Sequence, residues 1–113
     1  MNGFVEHLHE VFSEFGRIDA RRMFGGHGIF HDGLMFALVA DDTLYLKADD
    51  ESAYSFETRG LARFQYNKGG GVLSMSYFEA PEEIYDDPAE AVIWARRAHD
   101  AALRTKRRTG RRK

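Results

Sequence analysis

A chain of 113 residues that is 43% hydrophobic, with nine Phe, five Tyr and one Trp, has the size and apolar content of one globular domain. It contains no cysteine, which excludes disulfides, thiol nucleophiles and cysteine-held zinc, iron–sulfur or haem groups. The net charge of −2 hides a polarity: the stretch RTKRRTGRRK, residues 104–113, holds seven of the sixteen Lys and Arg, leaving nine against eighteen Asp and Glu, or −9, on residues 1–103.

The opening residues MNGFVEHLHE are charged and lack an apolar core, so no signal peptide is predicted. In GFVEHLHEVFSEFG, Phe4, Leu8, Val11, Phe12 and Phe15 fall on one helical stripe, and Gly16 is a natural stop. The run RRMFGGHGIF then reads as the first strand of a three-stranded meander. His31-Asp32-Gly33 signals a tight hairpin, LMFALVA is apolar on both faces like a central strand, and Asp41-Asp42-Thr43 turns into LYLKA. DDESAYSFETRG predicts a short helix capped by Asp49 or Asp50 and stopped by Gly60. ARFQYN and VLSMSYFEA form a strand pair joined through KGGG, with Leu73, Met75 and Tyr77 on one face, and Pro81 ends the second strand. In the last helix Asp87 is the N-cap, Pro88 the first helical residue, and Glu90 stands at capping-box spacing. Its residues Ala91, Ala95, Ala98 and Ala102 share a stripe that would let it lie close to a sheet or another helix. The order α-β-β-β-α-β-β-α defines an α+β domain over residues 1–103, with helices packed on an antiparallel sheet and a basic, frayed or disordered tail over 104–113.

A glycine run cradles phosphate when it follows a strand and opens a helix. Here a strand comes next, so Gly25, Gly26 and Gly28 are assigned to a bend, a bulge or the close approach of another backbone. The five histidines do not make a metal set: His7 and His9 are two apart on a helix and do not share a face, and His99 belongs to the alanine stripe as a packed, hydrogen-bonded side chain. The carboxylates gather at turns and helix starts, where they cap or face water, and no cofactor, metal or catalytic set is expected. Arg21 and Arg22 are adjacent on a strand and point to opposite faces, so one of them is a candidate to turn inward. A solvated Arg with a structural salt bridge is the preferred reading of the pair. Arg104, Lys106, Arg107, Arg108, Arg111, Arg112 and Lys113 make the tail a candidate for non-specific DNA contact through counterion release, or else a solubilising extension.

RRMFGGHGIFHDGLMFALVADDTLYLKADD, MSYFEAP and WARRA, in this order, closely resemble the N-terminal domain of the TfoX/Sxy proteins, from about Gly16 to about Ala102. The resemblance implies an α+β fold with a curved antiparallel sheet flanked by helices, of the kind also seen in type III secretion chaperones. It also implies a regulator of bacterial competence that acts with the cyclic-AMP receptor protein as an adaptor or co-activator. Those regulators carry a second, C-terminal domain, for which 113 residues leave no room. No catalytic residues come with the resemblance. Arg21, Arg22, Met23, Phe24, Gly25 and Gly26 come with it as a signature of structural or interaction value.

The expected function is therefore a non-enzymatic, cytoplasmic regulatory domain that docks on a protein partner, touches DNA through its tail and makes no membrane contact. An alternative is a small-molecule-binding domain or enzyme with a pocket at the Arg21–Phe30 strand, drawing on Arg22, Phe24, His27 and Tyr45. A third is a homodimer formed through a sheet edge or the alanine-lined helix.

Overall fold

Turn residues at positive φ and apolar runs between them divide the described residues into six strands and three α-helices. The computed structural model describes the backbone of residues 3–23, 25–68 and 71–111, without the side chains of 66–68, 71–74 and 109–111. The elements are α1 (Gly3–Val11), β1 (Asp19–Met23), β2 (Gly26–His31), β3 (Leu34–Ala40), β4 (Thr43–Lys47), α2 (Ala53–Glu57), β5 (Arg63–Lys68), β6 (Gly71–Glu79) and α3 (Pro88–Arg111), with a 3-10 turn at Glu82–Tyr85 before α3. The strands form one antiparallel sheet in the order β1-β2-β3-β4-β6-β5. This is the expected α+β domain, with one strand more than the sequence reading. The stretch read as a single strand, RRMFGGHGIF, is a hairpin, because Gly25 takes φ +75° and turns the chain between Met23 and Gly26.

The other turns obey their residues. Asp32 and Gly33 have φ of 51° and 76°, and Asp41 and Asp42 have 51° and 54°, the paired positive values of two-residue hairpins. A bulge separates the Ile29–Ala37 and Phe30–Met35 pairs, leaving Phe36 as the extra residue. Phe36 is fully buried in the main core together with its neighbour Ala37.

The main core lies on one face of the sheet. Ile29, Val39, Leu44, Leu46 and Phe78 meet Leu8 and Phe12 from the α1 region, Phe56 from α2, and Ala91, Trp94, Ala95 and Ala98 from α3. The alanine stripe therefore serves the helix's approach to its own sheet, where α3 packs on β3 and β4. Asp87 caps α3 as expected, its Oδ1 accepting the N–H groups of Ala89 and Glu90. Glu90 does not close a capping box. Its carboxylate instead accepts the indole N–H of Trp94 at 3.3 Å. His99 is hydrogen-bonded as expected, through Nε2 to the His31 carbonyl, and His31 in turn donates its Nδ1–H to the Arg17 carbonyl at 2.8 Å. On the opposite face a smaller cluster joins Leu38, Phe64 and Tyr77 with Met35, Tyr45 and Met75.

At Gly26 the backbone of β3 comes close: a Cβ there would sit 2.1 Å from the Val39 carbonyl oxygen, whereas one on Gly33 would meet nothing within 4 Å. Gly26→Ala must push β2 from β3 and is expected to cost about 3 kcal/mol or more. Gly33→Ala carries only the strain of its positive φ, about 1 kcal/mol. Urea midpoints of the two variants against the parent check the order, and equal losses would show that the β2–β3 approach is not the constraint.

Candidate functional site

The signature segment is built on the β1–β2 hairpin at one edge of the sheet. Its glycines serve the backbone, Gly25 at the turn and Gly26 against Val39. Met23 packs over Gly28 beside Met35, where a Cβ on residue 28 would meet both sulfurs within about 3 Å. Phe24 lies outside the described residues. Arg21 and Arg22 are both exposed, so neither turns into the core, which corrects the inward reading. The guanidinium of Arg21 lies 4.6 Å over the Phe30 ring, and neither arginine forms an ion pair among the described residues.

Arg22 and His27 face each other across the hairpin and share an open cleft of about 370 Å³ with Val5, Glu6 and His9 from α1 and Asp19 and Ala20 from β1. A smaller hollow of about 270 Å³ continues past Met23 and Gly25. Nδ1 of His27 is buried and has no hydrogen-bond partner among the described residues. Of the four side chains in the alternative reading, Arg22 and His27 share this cleft, Phe24 lies outside the described residues and Tyr45 is elsewhere. His27 pairs with Val39 on the helix-covered face, while Tyr45 pairs with Leu38 and belongs to the opposite one. Among the described residues no group of three His, Asp or Glu side chains converges on a metal position.

The second region is the C-terminal end of α3. The tail was expected to begin at Arg104, but the structure carries the helix through Arg111, and Arg104 belongs to the body. Its Nε and NH2 donate to the two carboxylate oxygens of Asp49 at 2.6 and 3.0 Å, and Glu51 stands 3.3 Å away. Asp49 is at the same time the cap of the turn that leads into α2. Its Oδ1 accepts the Ser52 N–H, and Ser52 Oγ accepts the Asp49 N–H, a reciprocal pair of capping-box form with Ser in the third position. Among the described residues Asp49 and Ser52 are the polar side chains the fold buries, and both are spent on this joint. Beyond it Lys106, Arg107 and Arg108 are exposed, while the Arg111 side chain, Arg112 and Lys113 lie outside the described residues.

Sequence reasoning missed that these arginines are phased with earlier ones. Ile93, Arg96, Arg97, Asp100, Arg104, Arg107 and Arg108 all fall within about 60° of one line along the helix. The signal was the repeat of three and four between them, readable once the helix is allowed to run past residue 103. The alanines occupy the other side and are buried, so the alanine stripe is not a free surface of the helix.

The fold is a small α+β domain with a six-stranded antiparallel sheet, and comparison with known proteins identifies the family. The family model of the TfoX N-terminal domain matches residues 10–102, and the chain belongs to that family. It is 37% identical over 89 residues to the DNA transformation protein TfoX1 of Aliivibrio fischeri, a match covering 75% of this chain and 43% of that protein. It is 29% identical over 97 residues to protein Sxy of Escherichia coli K12, covering 86% and 46%. The chain thus spans less than half the length of the curated relatives it matches. Among the described residues no helix is long and apolar enough to cross a membrane.

The Arg104 guanidinium holds the Asp49 carboxyl down at about 2, below its ordinary 3.8, with Ser52 assisting. A carboxylate depressed in the folded state stabilises above its unfolded pKa, and the contribution fades as pH falls from about 4 to about 2. Asp49→Asn, which keeps the cap oxygen but not the charge, is expected to lose on the order of 2 kcal/mol at pH 7. The gap to the parent should close near pH 2. Thermal unfolding across pH 2–7 checks this, and a pH-independent gap would assign the loss to packing.

Proposed function

We propose that this chain is a non-enzymatic regulatory domain that works as an adaptor in transcriptional control of DNA transformation, through contact with a protein partner. The observation that carries the reading is the TfoX N-terminal domain match over residues 10–102, together with a relative named as a DNA transformation protein. The partner in this reading is a transcription factor of the cyclic-AMP receptor type, and the basic end of α3 adds a non-specific contact to DNA. The charge distribution supports that division of labour. A body at −9 repels phosphate, so attraction to DNA falls to the exposed Lys106, Arg107 and Arg108 and the basic residues after them.

A second reading rests on a single atom. The unpartnered Nδ1 of His27 beside Arg22 favours a small ligand in the α1–β1 cleft, although an ordered water would satisfy it equally. Stoichiometric retention of a small molecule by the native protein in mass spectrometry would favour that reading.

The test of the main proposal is DNA binding across a salt series by the intact chain and by a chain ending at Thr105, which keeps Arg104 on Asp49. The six charges removed, Lys106, Arg107, Arg108, Arg111, Arg112 and Lys113, give a log–log salt slope of up to about −5 if all engage phosphate. The slope should vanish on truncation. A shortened chain that binds DNA as well as the intact one would remove the DNA contact from the proposal. Sedimentation with purified cyclic-AMP receptor protein tests the other half, and no complex at tens of micromolar would remove that partner.

A further inference from the structure

The outward side of α3 holds an arrangement that neither the core nor the DNA contact uses. Between α2 and α3 runs a groove of about 420 Å³, lined by Ser52 and Ser55 on one side and Val92, Ile93, Arg96 and Arg97 on the other. Ile93 is 48% exposed and Tyr54, on α2, is 73% exposed; among the described residues these are the large apolar side chains most open to water. A lone exposed apolar residue is ordinary. Its charged surroundings set this one apart.

The groove's acids, Glu51 and Asp100, act on Arg104, which Asp49 also holds. Arg96 and Arg97 form no ion pair among the described residues, and the Arg97 guanidinium lies 4.5 Å over the Trp94 ring. Two guanidiniums with no ion pair among the described residues therefore flank an apolar anchor in a concave strip. The geometry points to the α2–α3 groove as the docking site for an acidic amphipathic helix of a partner protein. Apolar side chains at helical spacing cover Ile93 and Val92, while carboxylates pair with Arg96 and Arg97. A DNA backbone fits the strip less well, because its phosphates and sugars would leave the exposed Ile93 and its neighbour Val92 without an apolar partner. The inference rests on the adaptor reading and gives it a surface.

Trp94 is the one tryptophan in the chain and lies under Arg97, so its emission reports on the groove. The probe is a synthetic helical peptide of roughly fourteen residues, with Leu along one stripe and Glu elsewhere. Titrated into the intact protein, it is expected to change Trp94 emission saturably. Binding should weaken roughly tenfold or more in Ile93→Asp and in Arg96→Glu. Both positions are exposed, so the variants should keep the parent's unfolding transition, and a peptide with Lys for Glu should produce no change. Absence of a saturable change overturns the inference, as does an equal response in Ile93→Asp. A response to a short DNA duplex but not to the acidic peptide makes the strip a nucleic-acid surface and also overturns it. A groove that binds the peptide in a protein that ignores the purified transcription factor keeps the inference and removes only the named partner. A transcription factor that binds parent and Ile93→Asp alike keeps the adaptor reading and removes the groove.

Discussion

The close seat of α3 on the sheet sets the position of nearly everything else in the domain. Ala91, Ala95 and Ala98 are fully buried and Ala102 almost so, each contributing only a methyl group on the side by which α3 packs on β3 and β4. With so little side chain between helix and strands, a larger residue at any of these positions would lift the helix and open the core that Trp94, Phe56 and Phe78 fill. The same face fixes the rotation of the helix about its axis. Once the alanines point inward, Ile93, Arg96 and Arg97 point out, and the basic end continues the outward side.

The far end of that helix is secured by a different kind of force. The buried run of α3 ends at Ala102, and just beyond it a two-pronged ion pair joins Arg104 to Asp49. Because Asp49 also caps the turn into α2, one carboxylate ties together the end of β4, the start of α2 and the last buried turn of α3. Trp94 has a comparable role nearer the start of the helix, with its N–H on Glu90 and its ring in contact with the guanidiniums of Arg59 and Arg97. Arg59 is itself paired with Glu83 in the 3-10 turn. Charge thus closes the rim of a core that aromatic and alanine packing fills.

Much of this was legible in the residues. Asp32-Gly33 and Asp41-Asp42 announced their turns because few residues accept positive φ, and Asp87-Pro88 announced the start of α3. The alanine stripe announced close packing. The features that escaped were non-local. Two strands were read as one because the turn at Gly25 sits inside an unbroken apolar and glycine run, with no polar cluster to punctuate it. Glu90 stood at the right spacing to close a capping box, but an indole four residues on was the better donor. The end of α3 escaped because a run of like charges argues for a frayed chain, and only the distant Asp49 supplies the counterion that makes Arg104 a member of the fold. At the signature, sequence placed Arg22 and His27 on one strand, whereas the hairpin sets them opposite each other.

The seat of α3 also makes the chain sensitive to insertion. Each residue added to a helix rotates every later side chain by about 100° around the axis. One extra residue between Ala102 and Arg104 would leave the body's core intact. It would swing Arg107 and Arg108 out of line with Arg96 and Arg97 and carry the Arg104 guanidinium away from Asp49. Two basic patches that now share one side would then look in different directions, with no change in net charge. For this domain, spacing along one helix carries information that a count of arginines does not.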